Sequence, residues 1–173
     1  MSVVALFLSS YWETNLETFS QRDLRQHAEG KSEVFLKNVS AIAGECKQHD
    51  VLFIVASQLA KSLAVRRQFM RDFTHADEVA LVEKKLEGGK RLVMSELLFL
   101  IHAQLMQSLE AWVTANDVPY VDLVRSFDER RMRVELLTWV HLTAEGNQLI
   151  AQQLGDEILE RFCTARQAQA PGG

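Results

Sequence analysis

Residues 138–147 read Thr-Trp-Val-His-Leu-Thr-Ala-Glu-Gly-Asn, and this stretch predicts where the last helix of the chain begins. Thr143 is a favourable N-cap, because its hydroxyl can accept a hydrogen bond from an early backbone N–H. The apolar residues that follow recur at helical spacing, at Leu149, Ile150, Leu154, Ile158, Leu159 and Phe162. We therefore expect a helix from about Thr143 to Cys163, with His141 on the loop before it. Reactive side chains are often found on such loops, because rigid elements anchor them.

Upstream of this stretch, apolar runs alternate with amphipathic segments. Val3–Leu8, Val51–Ala56 and Pro119–Leu123 are typical of short buried strands. Ser32–His49, with Ser32 as a cap, and Lys90–Ala115 show helical spacing of their apolar residues. The order strand, helix, strand, helix, strand, helix predicts an α/β fold, a three-layer sandwich around a short parallel sheet. The loops that carry His141, Ser57 and residues 9–15 should then meet beyond the carboxyl ends of the strands.

Length and composition limit the classes of protein that this chain can represent. Its 173 residues predict one domain over residues 1–165, followed by a disordered tail at 166–173. A net charge of −4 argues against nucleic acid as a partner. Arg130, Arg131 and Arg133 alternate with glutamates and are expected on a solvated surface. No histidine or cysteine pair has metal-ligand spacing, so we expect neither a metal nor a cofactor.

The first residues are apolar but do not resemble a targeting or membrane segment. Met1–Leu8 lacks a basic n-region and is too short to cross a bilayer. The chain as written is therefore expected to be cytoplasmic and to have no membrane span. A strand at Val3–Leu8 would leave one apolar edge unpaired, and such edges invite self-association.

His141-Leu142-Thr143-Ala144-Glu145-Gly146-Asn147 resembles the last sequence block of the SGNH (GDSL-type) hydrolase superfamily. That block reads Asp-x-x-His followed by Leu-Thr-x-Glu-Gly-Asn. The resemblance implies that His141 is the general base of a serine-histidine-aspartate system. The position of the aspartate is occupied by Thr138, which carries no charge to stabilise an imidazolium.

The resemblance extends more weakly to the rest of the chain. The long helix and Val118–Leu123 look like the closing half of an SGNH domain, and Val3–Leu8 looks like the strand before its oxyanion block. The chain then reads Ser9-Ser10-Tyr11-Trp12, with Asn15 nearby, in place of Gly-x-Asn-Asp. These five residues are the candidates for an oxyanion hole or substrate pocket. The Gly-Asp-Ser nucleophile block is absent, which implies an SGNH/flavodoxin-like domain truncated at its N-terminus.

Three functions follow from these observations. The first is an ester hydrolase by descent, acting on small acyl or acetyl esters, that is degenerate and weakly active or inactive. The second is a non-catalytic binding or assembly module that uses the same pocket. The third is a chain whose nucleophile strand is supplied by an upstream segment or by a separate chain.

Overall fold

The computed structural model describes residues 18–169, except for the side chains of residue 162 and of residues 164–169. About two thirds of the described residues are helical. The helices are α1 Gln21–Ala28, α2 Lys31–Gln48, α3 His75–Glu87, α4 Met94–Ala115, α5 Leu123–Glu129 and α6 Ala144–Gln169. The strands are β1 Thr18–Phe19, β2 Val55–Ala56, β3 Leu92–Val93 and β4 Tyr120–Val121, and two 3₁₀ turns span Arg67–Asp72 and Arg133–Glu135.

The predicted three-layer α/β sandwich is wrong, because the described strands form only two small sheets. β1 pairs with β3 in antiparallel orientation, and β2 pairs with β4 in parallel orientation, over two residues each. The apolar run before β2 is not a buried strand, since Val51 is 56% exposed and Leu52 is 46% exposed. The predicted strand Val3–Leu8 lies outside the described residues.

Helix α4 is the element around which the described residues pack. Leu97, Leu100 and Ile101 belong to one buried cluster that also contains residues of α1 and α3. Leu109 and Val113 join a second cluster with β2 and the half-buried face of α2. Apolar residues on several faces therefore make α4 a buried helix. It begins four residues later than the sequence predicts, because β3 occupies the residues before it.

Helices α1 and α3 each begin with a capping box. The hydroxyl of Ser20 accepts from the backbone N–H of Asp23, and the Asp23 carboxylate accepts from the N–H of Ser20. Thr74 and Asp77 make the same exchange before α3. The predicted Ser32 cap is wrong, because α2 begins after Gly30, whose φ of 69° is left-handed.

The last helix begins where the sequence predicts. Thr143 precedes α6, and its hydroxyl accepts a hydrogen bond from the N–H of Gly146 at 3.2 Å. The helix continues to Gln169, beyond the predicted start of the tail at residue 166, while residues 170–173 lie outside the described part. In the part of the chain that the structure describes, no helix is long and apolar enough to cross a bilayer.

Candidate functional site

His141 lies on a short hairpin that is closed by backbone hydrogen bonds. Leu136 and Leu142 form an antiparallel bridge, and the N–H of Leu137 donates to the carbonyl of His141 at 2.7 Å. Leu136 belongs to the buried cluster around Phe127 and the half-buried Leu142 packs against it, so the base of the hairpin is anchored in the core. At the tip, Thr138, Trp139 and His141 are exposed, while Val140 is half-buried and packs against the cluster that contains Leu97 and Leu100.

Thr138 contacts the imidazole of His141 directly. Its Oγ1 lies 2.6 Å from Nδ1, and the same oxygen accepts a hydrogen bond from the backbone N–H of His141 at 3.2 Å. A hydroxyl can donate to Nδ1 or accept from it, so Thr138 holds the ring without selecting one tautomer.

The tip of the hairpin is fastened to the segment between β2 and α3. The N–H of Lys61 donates to the carbonyl of Trp139 at 3.1 Å. The Trp139 ring lies edge-on to the buried His102 of α4, with 6.3 Å between the ring centroids. The hairpin therefore contacts the segment after β2 at Lys61, whereas the hydroxyl of Ser57, which the sequence predicts to lie near His141, bonds to Asp122 and to the N–H of Val124.

The remaining motif residues shape the junction between the hairpin and α6. The hydroxyl of Thr143 donates to Oε2 of Glu135 at 2.6 Å. A Cβ atom at Gly146 would lie 3.1 Å from Cβ of Leu142 and 3.2 Å from Cβ of Glu135, closer than ordinary packing allows. Glycine at position 146 therefore lets the first turn of α6 approach the hairpin.

Ser57 follows β2 but is a structural residue. It is 2% exposed, its hydroxyl donates to Oδ1 of Asp122 at 3.2 Å, and its Oγ accepts from the N–H of Val124 at 3.1 Å. Asp122 also caps α5 by accepting from the N–H of Arg125. This pair therefore ties the end of β2 to the start of α5, and the Ser57 hydroxyl is not free to act as a nucleophile.

Ser9, Ser10, Tyr11, Trp12 and Asn15 lie outside the described residues. Their roles in an oxyanion hole or pocket remain predictions from the sequence.

A buried ionic cluster lies next to the hairpin, and the sequence analysis missed it. Arg133, expected on a solvated surface, is 1% exposed and pairs with the fully buried Glu78. The other oxygen of Glu78 accepts from the N–H and the hydroxyl of Ser62. Asp128 lies 3.7 Å from Nε of Arg133 and accepts from the N–H of His75 at the start of α3. The one available signal is that Arg133 stands between Met132 and Val134, an apolar setting unlike that of a surface arginine.

Burial lowers the pKa of three basic side chains around this cluster. Burial lowers the pKa of His75 to about 4, and the nearby charges of Arg133 and His102 act in the same direction. Burial also lowers the pKa of His102, and it lowers that of Lys61 against the opposing effect of Glu78. Nε2 of His75 and both ring nitrogens of His102 are buried without a hydrogen-bond partner among residues 18–169.

Desolvation raises the pKa of Asp128, although the His75 N–H and Arg133 act in the opposite direction.

Among the described residues, no group of three or more histidine, cysteine or acidic side chains is placed to hold a metal ion. Comparison of the chain with models of known protein families, with curated proteins and with solved structures gives no match.

Proposed function

We propose that this chain is a degenerate ester hydrolase of the SGNH type, with small acyl or acetyl esters as its substrate class. One observation carries the proposal: a hydroxyl three residues before His141 lies 2.6 Å from its Nδ1. That is the contact through which the acid of a triad orients its histidine. Because the described residues do not form a three-layer sandwich, the proposal depends on the motif and this loop, and not on the fold.

Thr138 supplies only part of what an aspartate would supply. A carboxylate accepts a hydrogen bond from Nδ1–H, which leaves Nε2 free to take a proton and stabilises the imidazolium that forms. Thr138 keeps the ring in place but adds no negative charge, and its hydroxyl allows either tautomer. Loss of the charge alone costs about 10⁴-fold in kcat in a serine hydrolase that is otherwise intact.

The loop fastened to the hairpin offers no serine nucleophile. Ser57 and Ser62 are both buried, and both hydroxyls are hydrogen-bonded to carboxylates. A general base is effective only when a nucleophile lies within hydrogen-bond reach. Within residues 57–62, His141 therefore has no hydroxyl to activate, and we expect weak activity or none.

Hydrolysis of p-nitrophenyl acetate tests this proposal. The proteins are wild type, His141→Ala, Thr138→Asp, Thr138→Val, and His49→Ala as a control for loss of another exposed histidine. We expect wild type to react little faster than free imidazole, His141→Ala to react more slowly, and Thr138→Asp to gain no turnover, because an oriented base still lacks a serine. Saturable turnover that His141→Ala abolishes would refute the degenerate reading.

The alternative is a non-catalytic binding or assembly module, and the burial of Ser57 and Ser62 favours it. A fluorophosphonate probe labels activated serines and distinguishes the two functions. An unlabelled protein supports the module. Labelling of a peptide from this chain, or only after a second chain is added, identifies the missing nucleophile and where it originates.

Self-association through the apolar run Val3–Leu8 is a separate part of the proposal. The run contains six consecutive apolar residues, and unpaired apolar strands pair readily with other chains. Sedimentation velocity at roughly tens of micromolar, a range in which aggregation-prone species associate, should show oligomers that Leu6→Lys reduces. A monomeric wild type over that range would contradict this part.

A further inference from the structure

A groove with an apolar floor lies between α1, α3 and α4, away from the His141 hairpin. Its cavity volume is about 660 Å³. Its lining residues are Gln21, Leu24, Arg25, Ala28, Glu29, Glu83, Leu86, Glu87 and Gln104. Gln104 and His102 are two residues apart on α4, so they point to nearly opposite sides of that helix. Because His102 contacts Trp139, the groove and the hairpin lie on different sides of α4.

The groove follows the helices that form it. Its α1 residues occupy positions 21, 24, 25, 28 and 29, which form one face of a helix over about two turns, or about 12 Å. Positions 83, 86 and 87 give the matching face of α3. Leu24, Ala28 and Leu86 pack against the buried core, so the floor between the two helices is apolar and firmly supported.

The rim of the groove carries unbalanced negative charge. Glu83 and Glu87 are four residues apart on α3, a spacing at which like charges repel. Glu29 adds a third carboxylate from α1, and Arg25 adds the one opposing charge of the lining. Within residues 18–169, none of these four side chains takes part in an ion pair. An occupant with positive charges would relieve this repulsion.

We infer that the groove docks a basic amphipathic helix of a partner protein. Apolar residues spaced three or four apart would enter the floor between Leu24, Ala28 and Leu86, and flanking lysines or arginines would face Glu83 and Glu87. This is the helix-in-groove mode of recognition, in which one apolar stripe supplies the anchors and charges at the edge select the partner. The inference does not depend on the function proposed for His141.

Charge argues against occupants from this chain itself. Residues 1–17 contain Glu13 and Glu17 but no lysine or arginine, and residues 170–173 carry no charged side chain. A second copy would bring a net charge of −4 to an acidic groove. Neither of these two stretches nor the net charge of a second copy complements the acidic rim, and the occupant that we infer is a basic helix of another protein.

A synthetic helix tests the inference with the full-length chain. The probe is a 14-residue peptide with leucines at helical spacing and lysines at its other positions, and the control peptide replaces every lysine with glutamate. Binding is measured by calorimetry. We expect the lysine peptide to bind, the glutamate peptide not to bind, and the affinity to fall as salt increases, because exposed charges are screened.

Variants of the protein locate the binding site. The double variant Glu83→Lys/Glu87→Lys should weaken binding at least tenfold, and Ala28→Trp should weaken it by filling the floor. The matched control is Glu33→Lys/Glu110→Lys, which reverses two exposed charges outside the groove and should leave binding unchanged. Equal weakening by both double variants, or no binding by wild type, would overturn the inference. Displacement of the peptide by equimolar spermidine would also overturn it, since it would indicate a site for small organic cations.

Discussion

Mild acid should destabilise this protein through His75, and the loss can be worked out from the structure. The ring of His75 lies 5.2 Å from that of Phe99, and its buried Nε2 has no hydrogen-bond partner among the described residues. Burial lowers its pKa from 6.5 to about 4. Because the folded pKa is below the unfolded one, the stabilisation is complete above about pH 6.5 and is lost as the pH falls toward 4. At about 1.4 kcal/mol per pKa unit, the loss is about 2 kcal/mol at pH 5 and about 3 kcal/mol at pH 4.

Urea unfolding at pH 7 and pH 5 measures this loss directly. The proteins are wild type, His75→Leu and the control His49→Leu, whose histidine is exposed on α2's C-terminal side. The free energy of unfolding of wild type and of His49→Leu should fall between the two pH values by about 2 kcal/mol more than that of His75→Leu. The same pH dependence in all three proteins would show that protonation of His75 does not cause the loss of stability. Comparing each protein with itself removes any change in stability that the substitution causes at neutral pH.

Three further predictions concern other contacts. Glu78→Gln should lower the free energy of unfolding by about 3–5 kcal/mol in urea titrations, because it leaves Arg133 buried without its full charge partner; a loss below 1 kcal/mol would contradict this. Gly146→Ala should lower the free energy of unfolding, measured by thermal denaturation, by about 1–3 kcal/mol through overpacking. Gly155→Ala should be neutral or stabilising, because a Cβ there meets nothing within 4 Å. Equal effects of the two substitutions would contradict the steric explanation. Thr74→Ala should cost about 1 kcal/mol and reduce helical circular dichroism as the cap of α3 is lost, so an unchanged unfolding midpoint would count against the cap.

Local sequence patterns predicted the helices better than the strands. Helix α4 and the start of α6 were identifiable because helical spacing and a cap such as Thr143 are encoded within a few residues. The run from Val51 to Ala56 was misleading, since a continuous apolar stretch has the same composition whether it is a buried strand or a half-exposed segment. Only the final two residues of the run pair with β4.

In the candidate site, too, contacts between residues close in sequence were predictable, and contacts between distant residues were not. The contact between Thr138 and His141 spans three residues, and the sequence motif placed both on one loop. The cluster of Glu78, Arg133 and Ser62 joins residues 16 and 55 positions apart in the chain, which no local pattern encodes. The arginine-rich composition around Arg133 instead suggested a solvated surface, and burial in an ion pair overrode that expectation.

The long-range hydrogen bonds between residues 61–75 and residues 128–139 have a consequence for local unfolding of the protein. Most of the first segment lacks regular α-helix, and three hydrogen bonds hold it to the second segment. The Lys61 N–H donates to the Trp139 carbonyl, Nε of Arg67 donates to the Val134 carbonyl, and the His75 N–H donates to Asp128. Neither segment keeps these bonds if the other departs, so the two should exchange their amide protons as one cooperative unit. His141 lies two residues beyond Trp139 on the same hairpin. The position of its imidazole therefore depends on contacts with a part of the chain some 70 residues earlier.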